Sequence, residues 1–285
     1  MAKTPAWLEK RIRDYYLETT EPSYLAHWSG DSLALHLGLG DEKTATLNDS
    51  LLNTNHYLAD QLRISEGSRV LDAGCGVGGS AIWLAENRGA QVTGISIAPN
   101  QVELAERFAK ERGVSDRVSF ACMDFMATTF DEASFDVVWN MESLCHAADP
   151  LVYFHHVAHL LADGGHFGCT DLFLVDPDDE HAKAICEGWI LPSLRSIDAI
   201  ASLLGDAGFT SVRTEDLTAR VLRSATALRA KATNKKLELR AEKVLLGVEA
   251  PLYEGHVDAG ARTALALESG SMTYGFAGGV RSRRV

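Results

Sequence analysis

Cationic residues are the first shortage. The chain carries 27 lysines and arginines against 39 aspartates and glutamates, a formal net charge of -12 over 285 residues. A protein that neutralises phosphates needs a basic surface, so this balance argues against DNA or RNA as a partner. Long apolar runs are missing as well. Nothing approaches the roughly 18 consecutive apolar residues of a membrane span, and the opening MAKTPAWLEKRIRDYY has no secretory apolar core. The expectation is a cytoplasmic protein. Cysteine is sparse: Cys75, Cys122, Cys145, Cys169 and Cys186 are scattered, with no CxxC pair. That leaves no disulfide framework and no zinc knuckle, and fits reduced thiols, with no nucleophile among them. Internal repeats and low-complexity runs are also absent.

What is present suffices for one large α/β unit with insertions, since 46% of the residues are hydrophobic. The stretch that organises it is VLDAGCGVGG, Val70 to Gly79. An apolar run ends in an acid, Asp72, and four glycines follow within six positions: a strand, a tight turn, then a helix. Such a turn needs backbone angles that other residues resist, and a Cβ would hold a ligand away from the main chain. The placement points to nucleotide binding at the mouth of a parallel sheet. Gly74, Gly76 and Gly79 satisfy GxGxxG, a weak signal alone. Two features argue against a dinucleotide. Asp72 precedes the turn, where it suits a cationic amino group better than a pyrophosphate. About 20 residues on, where a nicotinamide cofactor needs an acid for its ribose, the next strand QVTGIS ends in Ser96.

On these residues the chain resembles the class I S-adenosylmethionine-dependent methyltransferases, whose first motif reads (V/L)LDxGCGxG. The resemblance is good from Leu52 to Leu217 and weaker outside. It implies a seven-stranded Rossmann-like sheet, mostly parallel with an antiparallel last strand and helices on both faces. An N-terminal helical lid (1–60), the cofactor-binding core (61–217), a helical cap (218–268) and the last strand with its tail (269–285) would follow one another. The cofactor would be S-adenosylmethionine, with S-adenosylhomocysteine as product.

The resemblance also assigns residues. Asp72, Gly74, Cys75, Gly76 and Asn140 would bind the cofactor, Asp72 at its cationic amino group. Sterol and tocopherol methyltransferases and cyclopropane fatty acid synthases often lack an acid after the second strand and carry a glutamine just inside the next helix. Ser96 and Gln101 match that arrangement. In CMDF, Asp124 would accept the adenine amino hydrogen, flanked by Met123 and Phe125. The string MESLCHA, behind the fourth strand FDVVW, looks like the sterol and tocopherol enzymes and would place Glu142 and His146 near the transferred methyl. Tyr24 joins them as a catalytic candidate, and Tyr15, Tyr16, Trp28, His36, Asp171 and Trp189 would wall the acceptor pocket.

Element by element, the pattern predicts a helix from Pro5 to Leu17, an irregular aromatic segment, and a helix from Thr46 to Leu62. Proline at the first turn opens the helices at Pro99 and Pro150. A variable segment runs to Pro192, and a long helical stretch from Thr218 to Glu268 is punctuated at Gly247 and Pro251. His155, His156 and His159 lie on one helix without a carboxylate or cysteine at ligand spacing, so the expectation is surface histidines and no metal. Arg220, Arg223, Arg229, Lys231, Lys235 and Lys236 read as a solvated helix face. The RSRR tail reads as disordered.

The partner expected is a small lipophilic or aromatic molecule. C-methylation of an isoprenoid or prenylated aromatic comes first; O- or N-methylation of an aromatic natural product is the alternative. The extra helices outside the sheet leave room for a homo-oligomer.

Overall fold

The computed structural model describes residues 3–246 and 250–282. Seven strands form one sheet: β1 (Arg69–Ala73), β2 (Gln91–Ser96), β3 (Val118–Cys122), β4 (Phe135–Met141), β5 (Leu161–Leu174), β6 (Phe209–Asp216) and β7 (Met272–Arg281). Their order is β3-β2-β1-β4-β5-β7-β6. β1 to β5 pair in parallel, while β7 runs antiparallel between β5 and β6. This is the α/β fold expected. Strand order reverses at β1, with β2 on one side and β4 on the other, and such a reversal opens a crevice at the carboxyl ends of the strands.

The helices begin where the chemistry of their first residues dictates. α1 spans Ala6–Thr19. Thr46 and Asp49 close a reciprocal capping box on α2 (Leu47–Gln61). α3 (Gly79–Arg88) leaves the glycine turn directly, and α4 (Pro99–Glu111) starts on its proline. At α5 (Pro150–Leu160) the Asp149 carboxylate accepts from the backbone N–H groups of Leu151 and Val152. α6 (Glu180–Gly188) is capped by Asp179, and α7 (Ile197–Asp206) by Ser196.

Several local expectations need correction. The aromatic segment after α1 is not irregular. The helix runs on as a π-helix, Thr20–Trp28, which carries Tyr24 and Trp28. The segment before Pro192 contains α6, because Asp179 supplies a cap that composition alone does not weigh. β5 starts at Leu161, its first residues bulging before regular pairing resumes at His166. His156 is buried, not a surface residue: Thr128 N–H donates to its Nε2 at 3.1 Å. It lies on the inner face of α5 with Tyr153 and Phe154, and His155 next to it is exposed. The long helical stretch is α8 (Thr218–Leu246) and α9 (Pro251–Ser269). Gly247 and the end of the RSRR tail lie outside the described residues.

The N-terminal segment and the two late helices share one hydrophobic core with the sheet. Leu37, Leu39 and Leu58 meet Val70 and Trp139 of the strands and Val221 and Ala264 of α8 and α9 in a single cluster. α9 also touches α1 and lies along α6. The approach to α6 is closest at two glycines. A Cβ on Gly188 would stand 2.3 Å from the Gly255 carbonyl oxygen, which no real contact tolerates. Among the described residues, no helix is long and apolar enough to cross a membrane.

Candidate functional site

Two cavities meet above the carboxyl ends of β1 and β4. The first is built on the glycine turn. Asp72 ends β1 with its carboxyl buried and Oδ2 without a partner, and burial alone pushes its pKa up to about 7. An orphaned buried carboxylate oxygen is costly and asks for a cationic or donor group from a ligand. Gly74 follows with φ 99°. Its N–H and that of Cys75 both donate to the Ile95 carbonyl, stitching the turn to β2. A Cβ at Gly74 would lie 2.4 Å from Ser143 Cβ. Gly74→Ala is therefore expected to lower stability by about 1–3 kcal/mol from the left-handed backbone alone, measured by thermal unfolding, and to distort the turn against Ser143. An unchanged melt would mean the turn can relax.

Along the same cavity, Ser96 Oγ donates to Gln101 Oε1 at 2.7 Å, and Gln101 Nε2 donates to Thr20 Oγ1 at 3.2 Å. Farther on, Asp124 Oδ1 accepts from Met126 N–H, while Thr4 reaches both carboxylate oxygens from the N-terminal segment. Ile97 and Phe125 supply apolar wall. Cys75 also lines this cavity, its thiol held neutral by burial. An orphan acid, a glycine cradle, an amide–hydroxyl pair and a strand-end carboxylate suit a nucleoside that carries a cationic amino acid arm.

Two of the residues expected to touch the cofactor are elsewhere. Met123 is half-buried against the core cluster that contains Phe154 and Phe167, and is not part of the cavity wall. Asn140 is fully engaged: Nδ2 donates to the Ala73 carbonyl and Ser143 Oγ, and Oδ1 accepts from the Tyr153 hydroxyl. It ties the post-β4 loop to the end of β1 instead of facing the cavity.

The second cavity is aromatic. Tyr15, Tyr24, Trp28, Trp189 and His256 enclose it, with Asp171 at its floor. Asp171 accepts backbone N–H groups from Cys145 and Leu172, and burial lifts its pKa to about 7. Tyr15 and Ser23 hold the two ring nitrogens of His256 at 2.7 Å each. His256 escapes a reading by motif, because its partners lie more than 230 residues away. Only its place on the inner face of α9, next to Val257 and one turn from Gly260, could have flagged it.

Tyr16, Leu35, His36, Glu142 and His146 line both cavities. The Tyr16 hydroxyl meets His146 Nε2 at 2.8 Å, and His146 Nδ1 meets the Ile190 carbonyl at 3.1 Å. A carbonyl only accepts, so Nδ1 carries the proton and Nε2 accepts from the phenol. Burial lowers the His146 pKa to about 4, which leaves the ring neutral. Glu142 has φ 47°, and its Oε1 accepts from Leu37 N–H at 2.6 Å and from the Tyr274 hydroxyl at 2.9 Å. Burial raises its carboxyl to about 8. The catalytic candidates Glu142 and His146 are thus brought together with Tyr16, whereas Tyr24 stands deeper, in the aromatic cavity only.

Among the described residues, no lysine or arginine lines either cavity. The basic residues of α8 serve other contacts: Arg220 and Arg223 donate to the carbonyls of Gly40, Thr44 and Ala45, Lys231 to that of His27, and Lys235 and Lys236 pair with Glu238 and Asp258. Among the described residues, no group of three His, Cys, Asp or Glu is arranged to hold a metal ion.

Residues 71–169 match the sequence family described as Methyltransferase domain. Over 226 residues the chain is 35% identical to the 27-O-demethylrifamycin SV methyltransferase of Amycolatopsis mediterranei, covering 77% of this chain and 80% of that protein. It is 31% identical over 222 residues to the sterol 24-C-methyltransferase of Saccharomyces cerevisiae, and there it spans only 57% of the relative's length. Among solved structures, geranyl diphosphate C-methyltransferase from Streptomyces coelicolor shares the fold, with a TM-score of 0.77 and 21% identity over 99% of this chain and 100% of that one.

Proposed function

The chain belongs to the S-adenosylmethionine-dependent methyltransferase family, and on that premise we propose that it methylates a hydroxyl of a lipophilic aromatic molecule held in the aromatic cavity. When bound, S-adenosylmethionine supplies an activated methyl group. Asp72 would take its amino group, Ser96 and Gln101 its ribose, and Asp124 its adenine amine, once Thr4 yields that carboxylate. The cavity of Tyr15, Tyr24, Trp28 and Trp189 would then orient the acceptor and exclude water, which is where most of the rate enhancement of such a transfer originates.

One observation carries the choice of atom. The acceptor cavity is lined by phenols, indoles and neutral imidazoles, with no cation and with both of its carboxyls raised by burial. A diphosphate finds no counter-charge there, and a cationic intermediate on carbon finds no carboxylate ionised at its ordinary pKa. A neutral hydroxyl suits that wall. This reverses the order expected from sequence. C-methylation of an isoprenoid or prenylated aromatic is the second reading, supported by the faces of Trp28, Tyr24 and Trp189, which could shield a carbocation. Incubation with labelled S-adenosylmethionine and either 1-naphthol or geranyl diphosphate separates the two. A methyl ether of naphthol is the expected product; methyl transfer only to the prenyl carbon would overturn the choice of oxygen.

A further inference from the structure

The wall shared by the two cavities contains one side chain that the contacts around it leave unsatisfied. His36 is 6% exposed. Its Nδ1 lies 2.9 Å from the Leu37 carbonyl and so carries the proton, while Nε2 has no partner and no solvent. Leaving a buried acceptor unpaired costs free energy, and nothing among the described residues offers it a donor.

The backbone around this ring is fixed with unusual care. Residues 36–39 have no strand to pair with, yet their polar groups are met one by one. The His36 carbonyl accepts from Trp28 Nε1, Leu37 N–H donates to Glu142, Gly38 N–H to Ser224 Oγ, and Leu39 N–H to Thr54 Oγ1. Four side chains from separate parts of the chain therefore fix the backbone that carries this imidazole, the kind of supporting shell a reacting group needs.

Accepting the methyl-transfer reading above, an acceptor must also lose a proton, from oxygen or from carbon. Among the other shared residues Tyr16 and His146 are committed, and Glu142 is held through one carboxylate oxygen. Tyr16 donates to His146, both nitrogens of His146 are bonded, and Glu142 Oε1 already takes two donors. We propose that His36 is the catalytic base, receiving at Nε2 the proton that the acceptor gives up. As the acceptor oxygen forms its bond to the methyl carbon, the carbon–sulfur bond breaks and leaves its electron pair on sulfur. The oxygen–hydrogen pair returns to oxygen as the proton moves to Nε2, and the imidazolium gives that proton to water drawn into the cavity behind the departing product. Burial lowers the pKa of His36 to about 4. A base this weak takes a proton only from an oxygen already partly alkylated, so the proton moves late.

Nitrogen NMR of the histidine rings, in protein loaded with S-adenosylhomocysteine at neutral pH, tests this with phenol as the probe. His36 should show a protonated Nδ1 and a bare Nε2, and the Nε2 signal should move on adding phenol but not toluene. His36→Gln should keep its affinity for S-adenosylhomocysteine yet lose roughly 10²–10⁴-fold in turnover of naphthol or the prenyl substrate, the range of a lost general base. A proton on Nε2, a cationic ring, equal responses to phenol and toluene, or undiminished turnover in the variant would each overturn the assignment. If the wild type fails to bind S-adenosylhomocysteine at all, the methyltransferase reading itself falls, and calorimetry on the unlabelled protein shows that separately.

Discussion

Replacing Asp72 with Asn is expected to abolish tight binding of S-adenosylhomocysteine while raising the melting temperature of the ligand-free protein. Both halves come from one oxygen. In the free protein, Oδ2 is buried without a donor and the carboxyl titrates near 7, so at neutral pH the fold carries a partly ionised, unpaired acid. An amide of the same shape removes the charge. With ligand bound, the balance inverts, because a desolvated charge pair that loses one member costs about 3–5 kcal/mol. At about 1.4 kcal/mol per tenfold, that is a weakening of roughly a hundredfold to a few thousandfold. Ligand selects the ionised form, so wild-type affinity should rise as pH climbs through 7 and then level off, with a proton released on binding. Calorimetry in buffers of different ionisation heat measures that proton, and the same titration with NAD should give no heat. An Asn variant that binds as well as wild type would place the cationic arm elsewhere.

The second large effect belongs to Glu142. Its Oε1 receives two buried donors, Leu37 N–H and the Tyr274 hydroxyl, so Glu142→Ala should cost about 1–3 kcal/mol for each donor left unpaired. Glu142→Gln keeps an accepting oxygen and should fold nearly as well. The pH dependence of stability supplies a further check. Glu142, Asp72 and Asp171 titrate at about 8, 7 and 7 in the folded chain, above their ordinary 4.5 and 3.8. Between those limits the native state holds more protons than the unfolded state, so these groups lower stability as pH rises toward 8. His36, His146, His156 and His256 are lowered from 6.5 to about 4, and their contribution grows from pH 4 and is complete above 6.5. The melting temperature of the ligand-free protein should therefore peak near pH 6.5 and fall by pH 8, with a flatter alkaline side in Glu142→Gln. A steady rise to pH 8 would show that the buried acids are ionised and paired.

What could be read from the chain and what could not divide along a physical line. The glycine turn, Asp72, the Pro99 and Pro150 helix starts and the strand-end Asp124 are local: each depends on a backbone angle or a cap within a few residues. Parallel pairing follows from the alternation of strands and helices, since parallel neighbours need crossovers, whereas the antiparallel last strand was implied only by the family resemblance. Met123, just past β3, and Asn140, near the end of β4, are sequence neighbours of true wall residues and differ from them in the direction the backbone turns their side chains. His256 and the free nitrogen of His36 depend on partners, or their lack, across tertiary contacts. The π-helix at 20–28 was obscured because a serine, a glutamate and a proline in TEPSYLAHW read as a break, while contacts with α9, such as the Tyr253 hydroxyl on the Pro22 carbonyl, support the wider turn.

The two glycines where α6 meets α9 bear on how such an enzyme could change its diet. Trp189 follows α6 directly, and His256 follows Gly255 on α9, so both walls of the aromatic cavity ride on one helix crossing. The crossing is asymmetric: a methyl at Gly255 meets its nearest neighbour at an ordinary 3.5 Å, whereas one at Gly188 collides with backbone. A single added carbon at Gly188 would act as a shim, prising the two walls apart without changing any residue that lines the cavity. Selectivity in this scaffold is then adjustable from outside the cavity, by the thickness of a hinge instead of the identity of its lining.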